Sequence, residues 1–442
     1  MKTSITQNSL KLLNNYAPIE LSSDFNYVLD KIENTKESIF VTGRAGTGKS
    51  TLLQIFRNTT EKNVVVLAPT GVAALNVKGQ TIHSFFGFPP KLLDPSQIRK
   101  RKNKALFKKI EVLIIDEISM VRADLLDNID HAMRINRERY EPFGGVQVIF
   151  FGDLFQLPPV VSSEIEAQIF TTKYPTPFFF SSKVITQGFK YETIELQKVY
   201  RQESKSFLKL LDSIRLNRID YEDLEMLNAR YCPVAPIESN VITLTATNHK
   251  AQAINQKKLG EIEMEESTYL SKTTGEYGNN YLPADECLRL KVHAQVMFVR
   301  NDPDKQFVNG TLGVVEELSP SIIKVKINDS EGRRTIELTP AKWEMIKYEI
   351  DEKDSEKIAA KTIGTFEQFP IKLAWAITIH KSQGKTFDHV IIDLGRGAFE
   401  HGQTYVALSR CRTLEGIYLK QPIKQKDIII DEKIVEYYLA MK

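Results

Sequence analysis

Cysteines, long apolar runs and excess charge are all scarce in this 442-residue sequence. Its three cysteines, Cys232, Cys287 and Cys411, form no CxxC pair, which argues against a zinc site and a disulfide framework and favours a reducing compartment. No apolar run approaches the roughly 18 residues of a membrane span, and residues 1–20 lack the apolar core of a signal peptide. The net charge of +3 means that affinity for a polyanion would need local basic patches. We therefore expect an intracellular protein without a membrane segment.

The apolar residues follow a pattern that predicts two α/β lobes. From residue 38 onward, short apolar runs alternate with helical stretches, which is typical of a parallel sheet with helices on both faces. Strands of the first lobe are predicted at 38–43, 63–69, 112–117 and 146–153. The pattern restarts after residue 190. Strands of a second lobe are predicted there at 193–196, 241–247, 373–379 and 389–394.

Two stretches interrupt these lobes and predict insertions. Residues 258–368 contain β-rich runs with turns, which are most simply a small β domain inserted into the second lobe. Residues 87–106 are rich in proline, lysine and arginine and predict a smaller insertion in the first lobe. The remaining boundaries are an N-terminal segment at 1–24, a first lobe at 25–190, and a second lobe at 191–257 and 369–442.

A phosphate-binding loop is the most specific local feature of the first lobe. GRAGTGKS (43–50) fits G-x-x-x-x-G-K-[ST] in full, between a predicted strand and a predicted helix, which is the context that this motif requires. Lys49 would neutralise the β- and γ-phosphates of a bound nucleotide, and Ser50 would bind Mg²⁺. The expected nucleotide-binding residues are Gly43, Ala45, Gly46, Thr47, Gly48, Lys49, Ser50 and Thr51. The alternative is a glycine-rich turn with an incidental lysine.

Two further motifs would complete the hydrolytic chemistry. LIIDE (113–117) ends a predicted strand with two carboxylates, at the edge of the sheet where the phosphate loop is also expected. Asp116 would hold Mg²⁺, and Glu117 would orient and deprotonate the attacking water. In GDLFQLPPV (152–160), Gln156 is expected to sense the γ-phosphate. The alternatives are an ordinary acidic strand end and a simple loop.

The order of motifs along the chain resembles that of superfamily 1 helicases, and specifically the Pif1-like family. The residues that carry the resemblance are GRAGTGKST (43–51), APTGVAA (68–74), TIHSFF (81–86), DEISMV (116–121), PFGGVQ (142–147), GDLFQLPPV (152–160), YRQ (200–202), TNHKAQAIN (247–255), VNGTLG (308–313), TIHKSQGKTF (378–387) and YVALSRC (405–411). The resemblance implies an α/β fold of two RecA-like P-loop NTPase lobes, 1A and 2A. It also implies a small 1B insertion at 87–106 and an SH3-like β-barrel, 2B, at 258–368. An ATP- and Mg²⁺-dependent DNA helicase with 5′→3′ movement follows from the resemblance, although no residue shows the direction physically.

The resemblance also assigns roles to single residues. Arg201 and Arg410 are similar to the two arginine fingers of the family, and Gly384 would let the backbone approach the nucleotide. The implied DNA-binding residues are Pro69, Thr70, His83, Asn248, His249, His380 and Ser382. The alternatives are surface salt bridges for the arginines and locally satisfied structural roles for the histidines.

The expected partners are single-stranded DNA and its junctions with duplex, with G-quadruplexes and DNA–RNA hybrids as further candidates. A basic run at 98–110 could hold duplex or displaced strand through its phosphates, or could simply be a solvated face. Its basic residues are Arg99, Lys100, Arg101, Lys102, Lys104, Lys108 and Lys109. We expect a monomer in the free state that serves replication, repair, recombination or telomere maintenance, in the cytoplasm at the nucleoid if the source is bacterial.

Phe25 is a departure from the family pattern. It stands in LSSDF (21–25) where many relatives carry a glutamine that reads adenine, which predicts relaxed nucleobase choice. The alternative is that Gln7, Asn26 or a backbone group reads adenine instead. The sequence is also compatible with two other functions. One is a DNA-stimulated translocase without strong unwinding, and the other is a P-loop phosphotransferase, which would need only one lobe.

Overall fold

The computed structural model describes residues 22–89, 92–161, 164–234, 241–277, 282–304, 306–329 and 332–441. Most of the predicted N-terminal segment, residues 1–21, lies outside the described residues. Contacts divide the chain into two units. The first holds the described residues up to Leu154 together with Pro159–Tyr200 and Ile346–Lys361, and the second holds Phe155–Pro158, Arg201–Met345 and the residues from Thr362 onward.

The first unit is built on a six-stranded parallel sheet in order β3-β2-β4-β5-β1-β6. Its strands are β1 Ile39–Gly43, β2 Val64–Ala68, β3 Gln80–Thr81, β4 Val112–Ile115, β5 Gln147–Phe151 and β6 Glu192–Leu196. Every residue of β1, β4 and β5 is buried, as expected for strands covered on both faces. The four strands predicted for this lobe are confirmed.

Helices flank this sheet. They are α1 Ser23–Asn34, α2 Lys49–Thr59, α3 Gly71–Asn76, α4 Ile82–Phe86, α5 Lys104–Lys109, α6 Ala123–Arg137, α7 Glu164–Lys173 and α8 Lys183–Thr186. α1 begins where the Ser22 side chain accepts a hydrogen bond from the Phe25 backbone N–H, which satisfies a helix N-terminal donor. Its buried residues Phe25, Val28 and Ile32 pack into the same apolar cluster as Leu52 of α2.

One predicted strand belongs to a different sheet from the one expected. Residues 193–196 were expected in the second lobe, but β6 pairs in parallel with β1 of the first unit, from Ile39 beside Glu192 to Gly43 beside Leu196. That placement was wrong. A short apolar strand can pair with the free edge of any parallel sheet, and the sequence does not show which sheet it joins. The first unit therefore continues to Tyr200 rather than ending at residue 190.

The second unit contains a four-stranded parallel sheet in order β18-β7-β19-β20. Its strands are β7 Ile242–Thr245, β18 Ala376–Thr378, β19 Val390–Asp393 and β20 Ile417–Leu419. Its helices are α9 Lys205–Arg215, α10 Tyr221–Asn228, α11 Asn248–Gly260, α12 Gln403–Leu408 and α13 Glu432–Ala440. The remaining three strands predicted for the second lobe are confirmed, and β20 is an addition.

The stretch between β7 and β18 is rich in β-structure, as predicted. Its strands are β8 Glu266–Leu270, β9 Lys272–Gly275, β10 Cys287–Lys291, β11 Gln295–Phe298, β12 Leu312–Leu318, β13 Ile323–Asp329, β14 Gly332–Leu338, β15 Ala341–Ile350, β16 Ile358–Gln368 and β17 Ile371–Leu373. The largest sheet here has the order β14-β13-β12-β11-β17 and antiparallel neighbours. The specific likeness to an SH3 barrel stays a prediction.

The tip of the β15–β16 hairpin, Ile346–Lys361, belongs to the first unit. There the hydroxyl of Tyr348 accepts a 3.2 Å hydrogen bond from the backbone N–H of Val66 in β2. Asn63, just before β2, donates to the Glu356 carbonyl at 2.8 Å and accepts from the Ile358 N–H at 3.0 Å. The hairpin thus supplies hydrogen-bond partners to β2 and the turn before it.

Within the described residues, the helices are all too short or too polar to cross a membrane.

Candidate functional site

The phosphate loop has the backbone that its motif demands. β1 ends at Gly43 and α2 begins at Lys49, and Gly43, Gly46 and Gly48 all have positive φ. A side chain at Gly48, which has φ +83°, would place its Cβ 2.9 Å from the Phe25 ring. Glycine is therefore required there for two reasons, backbone conformation and space. The loop presents the N-terminus of α2, a favourable place for phosphate.

The Lys49 side chain folds back over this loop. Its Nζ donates to the carbonyl of Gly43 at 2.7 Å and to that of Arg44 at 3.1 Å. Thr47 is fully buried, and its hydroxyl donates to the Arg44 carbonyl at 3.0 Å. Ser50 is exposed at the first turn of α2. The loop thus holds its lysine beside the backbone that would surround a phosphate.

Asp116 and Glu117 follow β4 in the same unit, as predicted. Asp116 is buried, and its pKa is raised by that burial and by the charge of Glu117, while the charge of Lys49 opposes the rise. The structure therefore brings Asp116 within the electrostatic reach of the phosphate-loop lysine. Glu117 has φ +50°, an uncommon conformation for a residue other than glycine and one that often marks functional sites.

Gln156 lies in the short stretch Phe155–Pro158, which clusters with the second unit. The side chain is buried, and its Oε1 accepts a 3.3 Å hydrogen bond from Nε2 of Gln383. Gln383 belongs to the HKSQGKT motif. Two of the motifs identified in the sequence are thus joined by a direct contact.

The two candidate arginine fingers lie together in the second unit. Arg410 is 1% exposed; its Nε donates to the Val406 carbonyl at 2.8 Å and its Nη2 to the Ser409 hydroxyl at 2.8 Å. Arg201 donates through Nη1 to the Ser409 carbonyl at 3.1 Å. Burial, and then the positive charge of Arg410, lower the pKa of Arg201. Two neighbouring cations, Arg410 buried and Arg201 partly buried, produce a positive potential that favours an anion.

The HKSQGKT loop follows β18, but not all of its predicted DNA contacts face outward. Nε2 of His380 lies 3.1 Å from the Glu400 carboxylate, and the His380 side chain is 35% exposed. Ser382 is fully buried, and its hydroxyl donates to the Ile379 carbonyl at 2.6 Å. The prediction that the Ser382 side chain faces DNA is not supported, because the hydroxyl is used to hold the turn. Gly384 is exposed with φ +74°.

The other predicted DNA-facing residues stand at the ends of strands. Pro69 and Thr70 follow β2 and are half-buried, and the Thr70 hydroxyl caps α3 by accepting from the Ala73 N–H at 3.2 Å. His83 is half-buried in α4, where burial lowers its pKa. Asn248 and His249 begin α11 and are exposed.

Two residues of the site were missed from the sequence. Tyr200 is 42% exposed and its N–H donates to the Gly46 carbonyl at 2.9 Å, which places an aromatic ring beside the phosphate loop. Gln202 is buried and donates to the carbonyls of Ser409 at 3.1 Å and Cys411 at 3.0 Å. Both lie in the YRQ motif, so their position beside Arg201 was the available signal.

Known proteins similar to this chain agree with one another. A family model described as PIF1-like helicase matches residues 20–224. The ATP-dependent DNA helicase Pif1 of Bdellovibrio bacteriovorus is 33% identical over 431 residues, covering 95% of this chain and 92% of that protein. The ATP-dependent DNA helicase PIF1 of Danio rerio is 36% identical over 413 residues, covering 90% of this chain but 60% of that protein. The chain thus spans about three fifths of the length of the vertebrate relatives it matches.

Solved structures give the same result. The crystal structure of Bacteroides sp Pif1 with ADP-AlF4 has a TM-score of 0.87 and 38% identity, covering 96% of this chain and 97% of that one. Bacteroides Pif1 bound to single-stranded DNA has a TM-score of 0.68 at the same identity and coverage. Because the Bdellovibrio bacteriovorus relative is 33% identical and is covered over 92% of its length, this chain belongs to the PIF1-like helicase family.

Proposed function

We propose that this chain is an ATP-dependent DNA helicase that moves 5′→3′ along single-stranded DNA and unwinds duplex or structured DNA. The observation that carries the proposal is the division of the chemistry over two units. A complete phosphate loop with Asp116 and Glu117 lies in the first, and the neighbouring arginines Arg201 and Arg410 lie in the second. A simple phosphotransferase would not need the second set.

The phosphate loop would bind ATP through its backbone N–H groups, with Lys49 moving from the loop carbonyls to the β- and γ-phosphates. Ser50 and Asp116 offer the oxygen ligands that Mg²⁺ prefers, and the paired carboxylates of Asp116 and Glu117 favour a cation there. When bound, Mg²⁺ would neutralise phosphate charge. Gly384 and the loop residues Ala45 and Thr51 would complete the nucleotide contacts.

Hydrolysis needs a water held in line with the γ-phosphate. Glu117 would accept the proton of that water, and Gln156 would orient it and report the presence of the γ-phosphate. Arg201 and Arg410 would stabilise the negative charge of the transition state, a contribution of about 10³–10⁵ in rate for arginine fingers. Because Gln156 accepts a hydrogen bond from Gln383 of the HKSQGKT loop, a change in the position of Gln156 would act directly on that loop.

DNA would be held by Pro69, Thr70 and His83 of the first unit and by Asn248, His249 and His380 of the second. Hydroxyls, amides and rings suit a motor, because they bind backbone or stack on any base without reading sequence. The single-stranded DNA bound to Bacteroides Pif1 supports this substrate. Forked junctions, G-quadruplexes and DNA–RNA hybrids are further proposed substrates. The proposed processes are replication, repair, recombination and telomere maintenance. We also propose that the free protein is a monomer and that, if bacterial, it lies at the nucleoid.

The test combines two assays on one preparation. ATP hydrolysis is measured with and without single-stranded DNA, and strand displacement is measured on a forked duplex, with Lys49→Ala as the inactive control. DNA-stimulated hydrolysis with displacement is the expected result. Hydrolysis that DNA stimulates without strand displacement would indicate the second candidate, a DNA-stimulated translocase. The second unit and its arginines support that candidate as well as they support a helicase. Hydrolysis that ignores DNA would contradict both.

A further inference from the structure

A buried arginine far from the predicted motifs contacts the residue next to the phosphate sensor. Arg215 ends α9 and is 2% exposed. Its guanidinium carbon lies 4.4 Å from the ring centre of Phe155 and 5.2 Å from that of Tyr438 in α13. The two rings meet edge to face, with centres 5.1 Å apart at 85°. We call Arg215, Phe155 and Tyr438 the arginine clamp.

The clamp fixes the stretch that carries Gln156. Phe155 is fully buried, so its ring anchors the backbone one residue before the sensor. On the other side, Gly402 approaches so closely that a Cβ there would lie 2.4 Å from the Phe155 carbonyl oxygen and 2.5 Å from that of Gln156. The third contact is the hydrogen bond from Gln383 to the Gln156 side chain. The sensor is therefore held through its neighbour's ring, its backbone and its own amide.

The same helix links the clamp to a candidate finger. α9 runs from Lys205 to Arg215, and Arg201 lies four residues before its start. A helix of that length is a rigid rod of roughly 16 Å. A displacement of the start of α9, near Arg201, would therefore reach Arg215 and the ring of Phe155, the residue next to Gln156.

We infer that Arg215 is a positioning residue for the phosphate sensor: by holding Phe155 against Tyr438, it sets Gln156 and couples it to α9. The inference rests on the proposed function, because Gln156 must act in ATP hydrolysis for its position to matter. The simpler interpretation is that Arg215 only packs in the core. The two interpretations differ in whether the effect of Arg215 on ATP hydrolysis depends on Gln156.

A double-mutant cycle separates them. Arg215→Met, which keeps the bulk but removes the planar cation, is measured alone and combined with Gln156→Ala. We expect kcat of DNA-stimulated hydrolysis to fall about tenfold in the single variant, with KM for ATP and Kd for single-stranded DNA within about threefold of wild type. In the Gln156→Ala background, Arg215→Met should change kcat by less than about twofold. An equal fall in both backgrounds, or no fall at all, would overturn the inference.

Further variants guard against a folding artefact. Tyr438→Leu removes one ring of the clamp and should reproduce the loss of kcat, while Tyr438→Phe keeps the ring and should restore it. Arg218→Met, three residues from Arg215 but exposed, is the matched control and should behave as wild type. Should Arg215→Met fail to fold, the cycle is run with Tyr438→Leu and the same two outcomes decide. If the wild-type protein shows no DNA-stimulated hydrolysis, the proposed function itself is contradicted. If the wild type is active but the effects of the two substitutions on kcat are additive, only the inference about Arg215 is contradicted.

Discussion

Arg410 donates hydrogen bonds to Val406 and Ser409 and is almost wholly buried, so its substitution probes both chemistry and packing. We predict that Arg410→Ala lowers kcat for ATP hydrolysis by about 10³ with little change in nucleotide Kd, because a finger acts mainly in the transition state. Nucleotide titration and steady-state kinetics check this. A parallel melting curve measures any packing loss, and a Kd that rises by the same factor as kcat falls would refute the finger role.

Phe25 bears on which nucleotide the enzyme accepts. The ring is 2% exposed and packs in the core of the first unit, with its centre 6.3 Å from that of Tyr200. A buried phenyl ring has no donor or acceptor for the adenine edge, and rejection is strong only where a mismatched base leaves a polar group unpaired. We predict that GTP and dATP support turnover within about tenfold of ATP. The measurement is kcat/KM for each nucleotide at saturating single-stranded DNA, and an ATP preference well above a hundredfold would reveal another adenine reader.

Lys385 makes folding depend on pH. Burial, and secondarily the charge of Lys372, lower its pKa from 10.5 to about 7, and Asn309 accepts a hydrogen bond from its Nζ. Between these values the unfolded chain binds a proton that the folded chain does not, so stability rises with pH, by at most about 1.4 kcal/mol per pH unit. We predict that Lys385→Met stabilises the protein most at pH 7 and below, and that this gain declines as the pH rises and is lost above pH 10.5.

The measurement is the melting temperature of both proteins across that pH range. Lys381→Met, at an exposed position in the same loop, is the matched control. Parallel pH profiles for wild type and Lys385→Met would show that the ammonium is not buried in the folded protein.

At the scale of elements, α5 and the loop before it place three lysines around one carboxylate. Nζ atoms of Lys100, Lys104 and Lys108 lie 3.1, 3.3 and 2.7 Å from Glu138, and the three ammonium groups lower the pKa of Glu138 to about 2. One carboxylate cannot neutralise three cations, so the patch retains positive charge. Positive charge on this patch is what the phosphate-binding interpretation of residues 98–110 requires, and that interpretation stays a prediction.

We predict that Lys104→Ala with Lys108→Ala weakens binding of forked DNA and reduces the slope of log K against log salt by about 1.8, since each phosphate contact to duplex contributes about 0.9. Glu138→Gln should tighten binding, because it frees the lysines. Lys257→Ala with Lys258→Ala is the matched control, as those lysines share Glu261. A salt slope unchanged by the α5 variants would identify a solvated face.

Elements could be predicted where their pattern is local. The strands β1, β2, β4 and β5 and the helix α2 follow from apolar runs and the phosphate loop, which need no distant partner. The sheet of β6 could not be predicted, because pairing with β1 is a tertiary choice. The burial of Ser382 and Arg215 could not be predicted for the same reason. A serine in a polar loop and an arginine at a helix end are ordinarily exposed, and only tertiary packing buries them here.

At the scale of the whole molecule, direction of movement is the property that no single residue reveals. Membership of the family leads us to predict 5′→3′ movement. Duplexes with only a 5′ tail or only a 3′ tail, matched in sequence and length, measure it directly. Preferential displacement on the 3′-tailed substrate would reverse the assignment while leaving the ATPase chemistry intact.

The hairpin tip at Ile346–Lys361 has a consequence for how the chain is made. The backbone N–H of Val66 is buried against Tyr348, and an unsatisfied buried donor costs about 1–3 kcal/mol. A ribosome synthesises the first unit's other residues long before this hairpin emerges. The delay is roughly 160 residues, or on the order of 8–30 s at about 5–20 residues per second. During that interval the backbone N–H of Val66 lacks the Tyr348 hydroxyl that accepts its hydrogen bond, so this part of β2 would then be open to a chaperone.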